Sequence, residues 1–322
     1  MTLGVMLAGC SSSPHSSGAH HPSIYVTNNG FNTVSPVSVG NTNTPTIAVG
    51  ARPWGIAITP SGKTAYVANS RSNTVTVFRV ATDTIVATIP VGAQPKEIAI
   101  TPNARTAYVT NHNSDTVSVI DVAANKVVAT ISVGRGPWGI AITPNGKTAY
   151  VTNHNSDDVT AITVATNAVA ATFSWIDLSG PWAIAITPNG QTAYITNQSA
   201  GVTPITLATN LAGPAISVGV QPYGIAITPN GKTAYVANIT SGTVTAITLA
   251  TRATKTIGGF TRPFSVTITP DGKTAWVTNQ GAGTIRPITV ATNKSGAALI
   301  VGAQPITIAC LPPSATTTSK RS

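Results

Sequence analysis

The pair Lys96 and Glu97 is the part of this sequence best suited to chemistry. It interrupts a repeated segment in which proline is followed by an aromatic residue and then by Gly or Ala. Glu97 is the sole acidic residue on any strand predicted to line the centre of the fold. It could therefore hold a ligand or act as a general base. The alternative is a surface ion pair between Lys96 and Glu97 that has no function.

Aromatic side chains take the place of Lys96 in most other copies of that segment. They are Trp54, Trp138, Trp182, Tyr223 and Phe264. If the copies are arranged in a ring, these side chains gather at the mouth of a central channel and offer a flat apolar surface to a ligand. Alternatively, they pack between repeats. Arg52, Arg135 and Arg262 add positive charge on the same face, a combination typical of proteins that bind single-stranded nucleic acid.

The other carboxylates and the histidines favour structural roles. Asp115, Asp157 and Asp271 fall in hairpins, where Asp stabilises turns. His112 and His154 occupy equivalent loop positions in adjacent repeats, so a shared metal site is conceivable. We favour two independent, exposed histidines, because equivalent positions in neighbouring repeats should lie well apart. We expect no metal site and no cofactor, since motifs for phosphate, dinucleotide or haem binding are absent from the sequence.

Two cysteines suggest different roles. The segment MTLGVMLAGC resembles the end of a bacterial lipoprotein signal peptide, in which Cys10 would carry the lipid. Residues 1–22 then form a signal remnant and a flexible tether rich in Ser, His and Pro. Only nine residues precede Cys10, which suggests a start assigned too late. Cys310 stands where other repeats have isoleucine, so we expect a buried core thiol without a redox role.

The charge balance is basic. The chain of 322 residues has 18 Lys and Arg against 8 Asp and Glu, a net charge of +10. The turn after the first strand of a repeat carries a basic residue in five copies: Lys63, Arg105, Lys147, Lys232 and Lys273. These residues should line the face opposite the aromatic side chains. They could meet an anionic partner such as nucleic acid or a membrane surface, or they could simply keep the protein soluble.

A tandem repeat must position all of these residues. The motif YVTN begins at Tyr25, and equivalent aromatic residues follow at spacings of 41 to 44 residues. They are Tyr66, Tyr108, Tyr150, Tyr194, Tyr235 and Trp276. A nearly constant period of this length is typical of a four-stranded propeller blade. Strand-forming Thr, Val and Ile alternate with Asn-Gly turns, which indicates an all-β protein.

The two ends of the repeat array predict how the ring closes. The first unit lacks its first strand, and the last unit ends after that strand. Seven complete blades form only if residues 306–310 pair with residues 24–27, which leaves no unpaired inner edge. The sequence therefore predicts a seven-bladed β-propeller over residues 23–312, followed by a disordered tail over residues 313–322.

The repeated YVTN segments resemble the YVTN family of β-propellers, which includes YncE-like bacterial extracytoplasmic proteins. That resemblance implies the same fold and a protein that binds a ligand without transforming it. We therefore predict a non-catalytic, monomeric scaffold at the cell envelope, which binds a small molecule or an envelope protein. One alternative is a nucleic-acid-binding propeller. The other is a lyase or lactonase-type enzyme, which we rank lower because metal-dependent propeller lactonases need several convergent carboxylates or histidines.

Overall fold

The protein folds as a seven-bladed β-propeller. A computed structural model describes residues 23–38, 45–175, 178–199 and 201–313. Within these ranges 29 strands form seven antiparallel sheets. No helix in the described part of the chain is long and apolar enough to span a membrane. Cys10, the predicted tether and the tail beyond residue 313 lie outside the described residues.

The strands follow a regular order from the centre of the ring to its rim. The first strands of the described residues are β1 (Ile24–Asn28), β2 (Thr33–Val37) and β3 (Ile47–Ala48). Blade 1 contains β4 (Pro53–Ile58), β5 (Thr64–Asn69), β6 (Thr74–Arg79) and β7 (Thr84–Pro90). Blade 2 contains β8 (Pro95–Ile100), β9 (Thr106–Asn111), β10 (Thr116–Asp121) and β11 (Lys126–Ser132). Blade 3 contains β12 (Pro137–Ile142), β13 (Thr148–Asn153), β14 (Asp158–Thr163) and β15 (Ala168–Phe173).

The remaining blades repeat the same plan. Blade 4 contains β16 (Pro181–Ile186), β17 (Thr192–Asn197), β18 (Gly201–Thr206) and β19 (Leu211–Ala212). Blade 5 contains β20 (Pro222–Ile227), β21 (Thr233–Asn238), β22 (Thr243–Thr248) and β23 (Thr254–Ile257). Blade 6 contains β24 (Pro263–Ile268), β25 (Thr274–Asn279), β26 (Thr284–Thr289), β27 (Lys294–Ser295) and β28 (Leu299–Ile300). The last strand is β29 (Pro305–Cys310).

The two ends of the described chain close the ring. Strand β29 pairs with β1 in an antiparallel sheet of order β29-β1-β2-β3, which is blade 7. Ile24 lies opposite Cys310, and Val26 lies opposite Ile308. This pairing is the one predicted from the incomplete repeats at the two ends. It gives the innermost strand of every blade a partner and removes the exposed inner edge that an open array would have.

The residues of the YVTN motif explain why the blades pack side by side. In blade 1 the Tyr66 hydroxyl donates to Asn125 Oδ1 in a turn of blade 2, at 2.7 Å. In blade 2 the Thr110 hydroxyl donates to the Trp138 carbonyl of blade 3, at 2.7 Å. Asn111 instead donates to Ser118 within its own blade, at 2.9 Å. The tyrosine and the threonine therefore join neighbouring blades, while the asparagine fixes the second strand to the third.

Apolar side chains fill the space between neighbouring blades. One such cluster takes Tyr66 and Val77 from blade 1 and Ile98 and Val109 from blade 2. All four side chains are buried. Since each blade has no core of its own, burial of this apolar surface against its neighbours stabilises the ring as a whole.

Candidate functional site

Five aromatic side chains close one end of the central channel. We call Trp54, Trp138, Trp182, Tyr223 and Phe264 the aromatic roof; each is the second residue of the innermost strand of its blade. Ring centroids lie 4.5 Å apart for Trp138 and Trp182 and 4.0 Å apart for Tyr223 and Phe264. The side chains thus pack on one another across the channel. Trp138, Tyr223 and Phe264 are buried in this packing, and a role of the roof as a binding surface stays a prediction.

Lys96 belongs to the same layer as the aromatic roof. Its Nζ lies 3.9 Å from the ring centroid of Trp54 and 4.3 Å from that of Trp138. The side chain is only 5% exposed. Burial, opposed by the charge of Glu97, lowers the pKa of Lys96 to about 8. The ammonium group is therefore enclosed by indole faces, an arrangement that cation–π attraction stabilises.

Glu97 lies one residue further along β8 and borders a cavity inside the ring. The cavity has a volume of about 150 Å³. The third position of the innermost strand holds a small residue in the six other blades: Gly55, Gly139, Ala183, Gly224, Ser265 and Thr307. A Cβ on Gly55 would lie 2.9 Å from Glu97 Oε2, so the carboxyl group extends over a position that only glycine leaves open. One carboxyl group therefore faces a wall of small side chains.

The environment of Glu97 favours a carboxyl group that titrates near neutrality. Burial raises its pKa, while the Ile98 backbone N–H, the Thr307 hydroxyl and the charge of Lys96 lower it, with a net result of about 7. The side chain is mostly enclosed by protein and borders the cavity. A group with a pKa near the working pH is well suited to accept and return a proton.

Four polar groups of the aromatic roof lack a well-formed hydrogen bond. Trp54 Nε1, Trp138 Nε1, Trp182 Nε1 and the Tyr223 hydroxyl are all buried without a well-formed hydrogen bond. The indole N–H groups of Trp54 and Trp138 lie near the Tyr223 oxygen. Burial raises the pKa of Tyr223, and the charge of Glu97 raises it further. Buried donors without acceptors are rare in folded proteins and often mark the site of a water or a ligand.

The two loop histidines are not independent and exposed, so that expectation was wrong. His112 and His154 are half-buried and flank Trp138, with ring centroids 4.8 Å and 5.9 Å from it. His154 also stacks on Trp182 at 3.7 Å. The physical reason is that the aromatic rings converge over the channel, and both imidazoles pack against them. Burial lowers the pKa of both imidazoles, which favours the neutral form at pH 7.

The predicted basic residues occupy the two ends of the propeller. Arg52, Arg135 and Arg262 are exposed on loops that lead into the innermost strands, next to the aromatic roof. Exposed basic residues also occupy the hairpins at the other end: Lys63, Arg105, Lys147, Lys232 and Lys273. Whether either set meets an anionic partner stays a prediction.

The carboxylate of Asp271 supports its own hairpin, as predicted, whereas those of Asp115 and Asp157 bond to the loop of the next blade. Asp271 accepts hydrogen bonds from the Thr269 hydroxyl and the Lys273 backbone N–H, and Asp115 accepts one from the Gly136 backbone N–H. Within the described residues no three His, Cys, Asp or Glu side chains lie close enough together to hold a metal ion. Cys310 ends β29 and packs, partly buried, against the cluster that includes Ile308.

Sequence reasoning named the residues of this site but missed how they meet. It placed Glu97 and the aromatic residues at the channel, yet it gave no sign of the cavity or of the electrostatic interaction between Tyr223 and Glu97. The enclosure of Lys96 by Trp54 and Trp138 was missed as well. A signal was present, because the one lysine at an otherwise aromatic position pointed to a cation among rings.

Comparison with protein families relates part of the chain to an enzyme family. The family model described as "Lactonase, 7-bladed beta-propeller" matches residues 23–130. This range is about a third of the chain and includes Glu97. No curated protein matches the chain.

Solved structures with the same fold have low sequence identity to this chain. A functionally unknown protein from Desulfotomaculum acetoxidans is 17% identical, with a TM-score of 0.78, and the match covers 90% of this chain and 99% of that one. A putative 6-phosphogluconolactonase from Bacteroides uniformis is 16% identical, with a TM-score of 0.73 and coverage of 89% and 98%. The hydrazine synthase of Kuenenia stuttgartiensis is 21% identical, with a TM-score of 0.73 and coverage of 78% and 87%.

These findings correct two predictions. We predicted a non-catalytic scaffold and expected that the protein is not an enzyme. The lactonase family model contradicts both and favours the alternative of a lactonase-type propeller. We had ranked that alternative low because only one carboxylate was expected at the channel, although a single buried carboxyl group with a pKa near 7 is sufficient for a general base. The comparisons and the structure together establish a seven-bladed β-propeller.

Proposed function

We propose that this protein is a lactonase-type hydrolase that opens a cyclic ester in the cavity beside Glu97. The observation that carries the proposal is the Glu97 carboxyl group, which borders an internal cavity and has a pKa of about 7. The lactonase family model supports it, since its match includes this residue.

Glu97 would act as the general base. In its ionised form it would remove a proton from a water molecule as the water oxygen attacks the carbonyl carbon of the lactone. The bond between that carbon and the ring oxygen then breaks. The proton held by Glu97 passes to the departing ring oxygen, which yields a hydroxy acid and restores the carboxylate. Water and lactone are the only reactants that these steps require.

The aromatic roof would stabilise the charge that develops on the carbonyl oxygen. Trp138 and Tyr223 both border the cavity; the Tyr223 hydroxyl has no well-formed hydrogen bond, and the Trp138 indole N–H lies near the Tyr223 oxygen. Donors that are already fixed in place toward a developing oxyanion lower the barrier, because they need little reorganisation during the reaction.

The test is to measure acid release from a panel of lactones by the purified protein and by the variant Glu97→Gln. We expect the variant to lose about 100-fold or more in kcat, the usual contribution of a general base. Its melting temperature should not fall, since glutamine keeps the shape of the side chain and removes a buried charge.

A matched control is Asp271→Asn, because asparagine occupies the equivalent turn position in other blades, as at Asn145. This variant should hydrolyse lactones at the rate of the unmodified protein. The proposal fails if no lactone in the panel is hydrolysed, or if Glu97→Gln retains full activity.

The predicted location also stays a proposal. The YVTN resemblance and the lipoprotein-like segment that ends at Cys10 support a lipid-anchored or secreted protein of the cell envelope. Mass spectrometry of the protein from its native host tests it. Unmodified Cys10 in a membrane-free fraction would contradict the lipid anchor.

A further inference from the structure

We infer that the cavity beside Glu97 takes a small, uncharged lactone of one ring, and that it excludes phosphorylated sugar lactones. This inference rests on the proposed function and names its substrate class. It depends on the size of the cavity, the chemistry of its walls and the charge beside it.

The size of the cavity limits its occupant to a small ring. Its volume is about 150 Å³. An engineered cavity of about this volume in another protein binds benzene, a ring of about six heavy atoms. A five- or six-membered lactone without long substituents is of similar size. A phosphorylated sugar lactone has more than twice as many heavy atoms and would need a cavity of correspondingly larger volume.

The walls match the carbon atoms of such a ring. Aliphatic side chains from five blades border the cavity: Ile140, Ile184, Ile225, Val266 and Ile308. Their apolar surface suits methylene groups. Apart from Glu97, Trp138 and Tyr223, only the side chains of Ser265 and Thr307 among the described lining residues offer polar atoms to the several hydroxyl groups of a sugar. Each buried hydroxyl without a hydrogen bond would cost binding free energy.

Polar atoms at the cavity would orient the ester group of the ring. Trp138 is 9% exposed and Tyr223 is 6% exposed, and neither the indole nitrogen nor the hydroxyl has a well-formed hydrogen bond. A carbonyl oxygen that reaches the Tyr223 hydroxyl could accept a hydrogen bond from it, while the Glu97 carboxyl group borders the same space. A hydrogen-bond donor and a general base would then both lie beside the bound ring.

Charge excludes a phosphate group. Of the described residues that border the cavity, Glu97 is the only charged one. The nearby ammonium group of Lys96 is held between the rings of Trp54 and Trp138. A phosphate dianion would be repelled by the carboxylate and would find no arginine or lysine side chain on the cavity wall to replace its water shell.

Hydrolysis of three lactones by the full chain tests this inference. The probes are δ-valerolactone, which is small and neutral, glucono-δ-lactone, which is larger and neutral, and 6-phosphogluconolactone. We expect kcat/KM for δ-valerolactone to exceed the values for the other two by 100-fold or more. The inference is overturned if either sugar lactone is hydrolysed at least as efficiently as δ-valerolactone, an outcome that leaves the proposed function intact. If none of the three is hydrolysed, the inference is overturned, and the proposed function fails as well if no other lactone of the panel is hydrolysed.

A binding measurement provides a readout apart from turnover. δ-Valerolactam has the shape of δ-valerolactone and is not readily hydrolysed. It should bind to the unmodified protein and to Glu97→Gln in a calorimetric titration. It should lose at least 10-fold in affinity in Ser265→Gln, because Ser265 borders the cavity at the position equivalent to Glu97 and a longer side chain there occupies the space.

The matched control is Ser265→Thr, since blade 7 has Thr307 at the same position. This variant should bind the lactam within twofold of the unmodified protein. Equal binding by Ser265→Gln at an unchanged melting temperature would show that the lactam does not occupy the cavity, and it would overturn the inference.

Discussion

Blades 2 and 3 have the same backbone but different chemistry at the channel. Both innermost strands begin with proline and have an irregular register after it. The backbone N–H of Glu97 donates to the Thr110 hydroxyl oxygen at 3.0 Å, and that of Gly139 donates to the Thr152 hydroxyl oxygen at 2.8 Å. At two successive positions, however, blade 2 has lysine and glutamate where blade 3 has tryptophan and glycine.

The difference shows how a repeat protein can acquire a site without altering its framework. Hydrogen bonds along the backbone and between blades do not depend on the side chains that point into the channel. Two substitutions in one copy therefore place an ammonium group among aromatic rings and a carboxyl group beside a cavity. The ring of blades buries the side chains at these two positions. Burial is the main cause of the altered pKa values of Lys96 and Glu97.

The largest expected effect tests the space available at the third position of the strand. A Cβ on Gly139 would lie 2.5 Å from the Trp182 carbonyl oxygen, so Gly139→Ala forces backbone to move. We expect a loss of about 3 kcal/mol in the free energy of unfolding, measured with urea. Glu97→Ala adds no new atom and should cost less than about 1 kcal/mol. Equal losses would show that blades 2 and 3 do not differ in this way.

The next effect is the dependence of stability on pH. The pKa of Glu97 is raised from 4.5 to about 7, so the folded state holds this proton more tightly than the unfolded state. Stability from the protonated form is fully present below pH 4.5 and is lost as the pH rises through 7. Relative to the unmodified protein, Glu97→Gln should therefore gain up to about 3 kcal/mol above pH 7 and gain nothing below pH 4.5. A pH-independent difference in urea unfolding would contradict this.

A smaller effect should be the same in both blades. Thr110 and Thr152 each donate to a carbonyl oxygen of the next blade, at 2.7 Å and 2.6 Å. Alanine takes the same position in blade 1, at Ala68, so the fold accepts the change. Thr110→Ala and Thr152→Ala should each cost about 1–2 kcal/mol in chemical denaturation, the loss expected for a buried carbonyl left without a donor. Clearly unequal costs would show that the shared framework differs between the blades.

The smallest effect concerns the influence of Lys96 on its neighbour. The charge of Lys96 lowers the pKa of Glu97, so Lys96→Met should raise that pKa above its present value of about 7. The midpoint of the pH–rate profile for lactone hydrolysis should move upward accordingly. Lys147→Met, which changes an exposed lysine in blade 3, should leave the midpoint where it is. An unchanged midpoint in Lys96→Met would show that the two groups are not coupled.

Much of the fold follows from the sequence because the signals are local and repeated. The spacing of Tyr66, Tyr108 and Tyr150 determines the blade length, and the incomplete units at the two ends determine the closure between β1 and β29. The candidate site follows only in part. Glu97 was identified because it breaks the repeat, but its pKa depends on atoms from blades that are distant in sequence, such as Thr307.

By itself, the sequence determined the number of blades, the pairing that closes the ring and the identity of the one acidic residue on an innermost strand. These features depend on periodicity and on short-range turn chemistry, both of which can be read along the chain. Only the tertiary structure decided that the aromatic side chains pack on one another, that His112 and His154 pack against them and that a cavity lies beside Glu97. Six innermost strands border that cavity, and its lining residues are up to 211 positions apart in the chain, from Glu97 to Ile308.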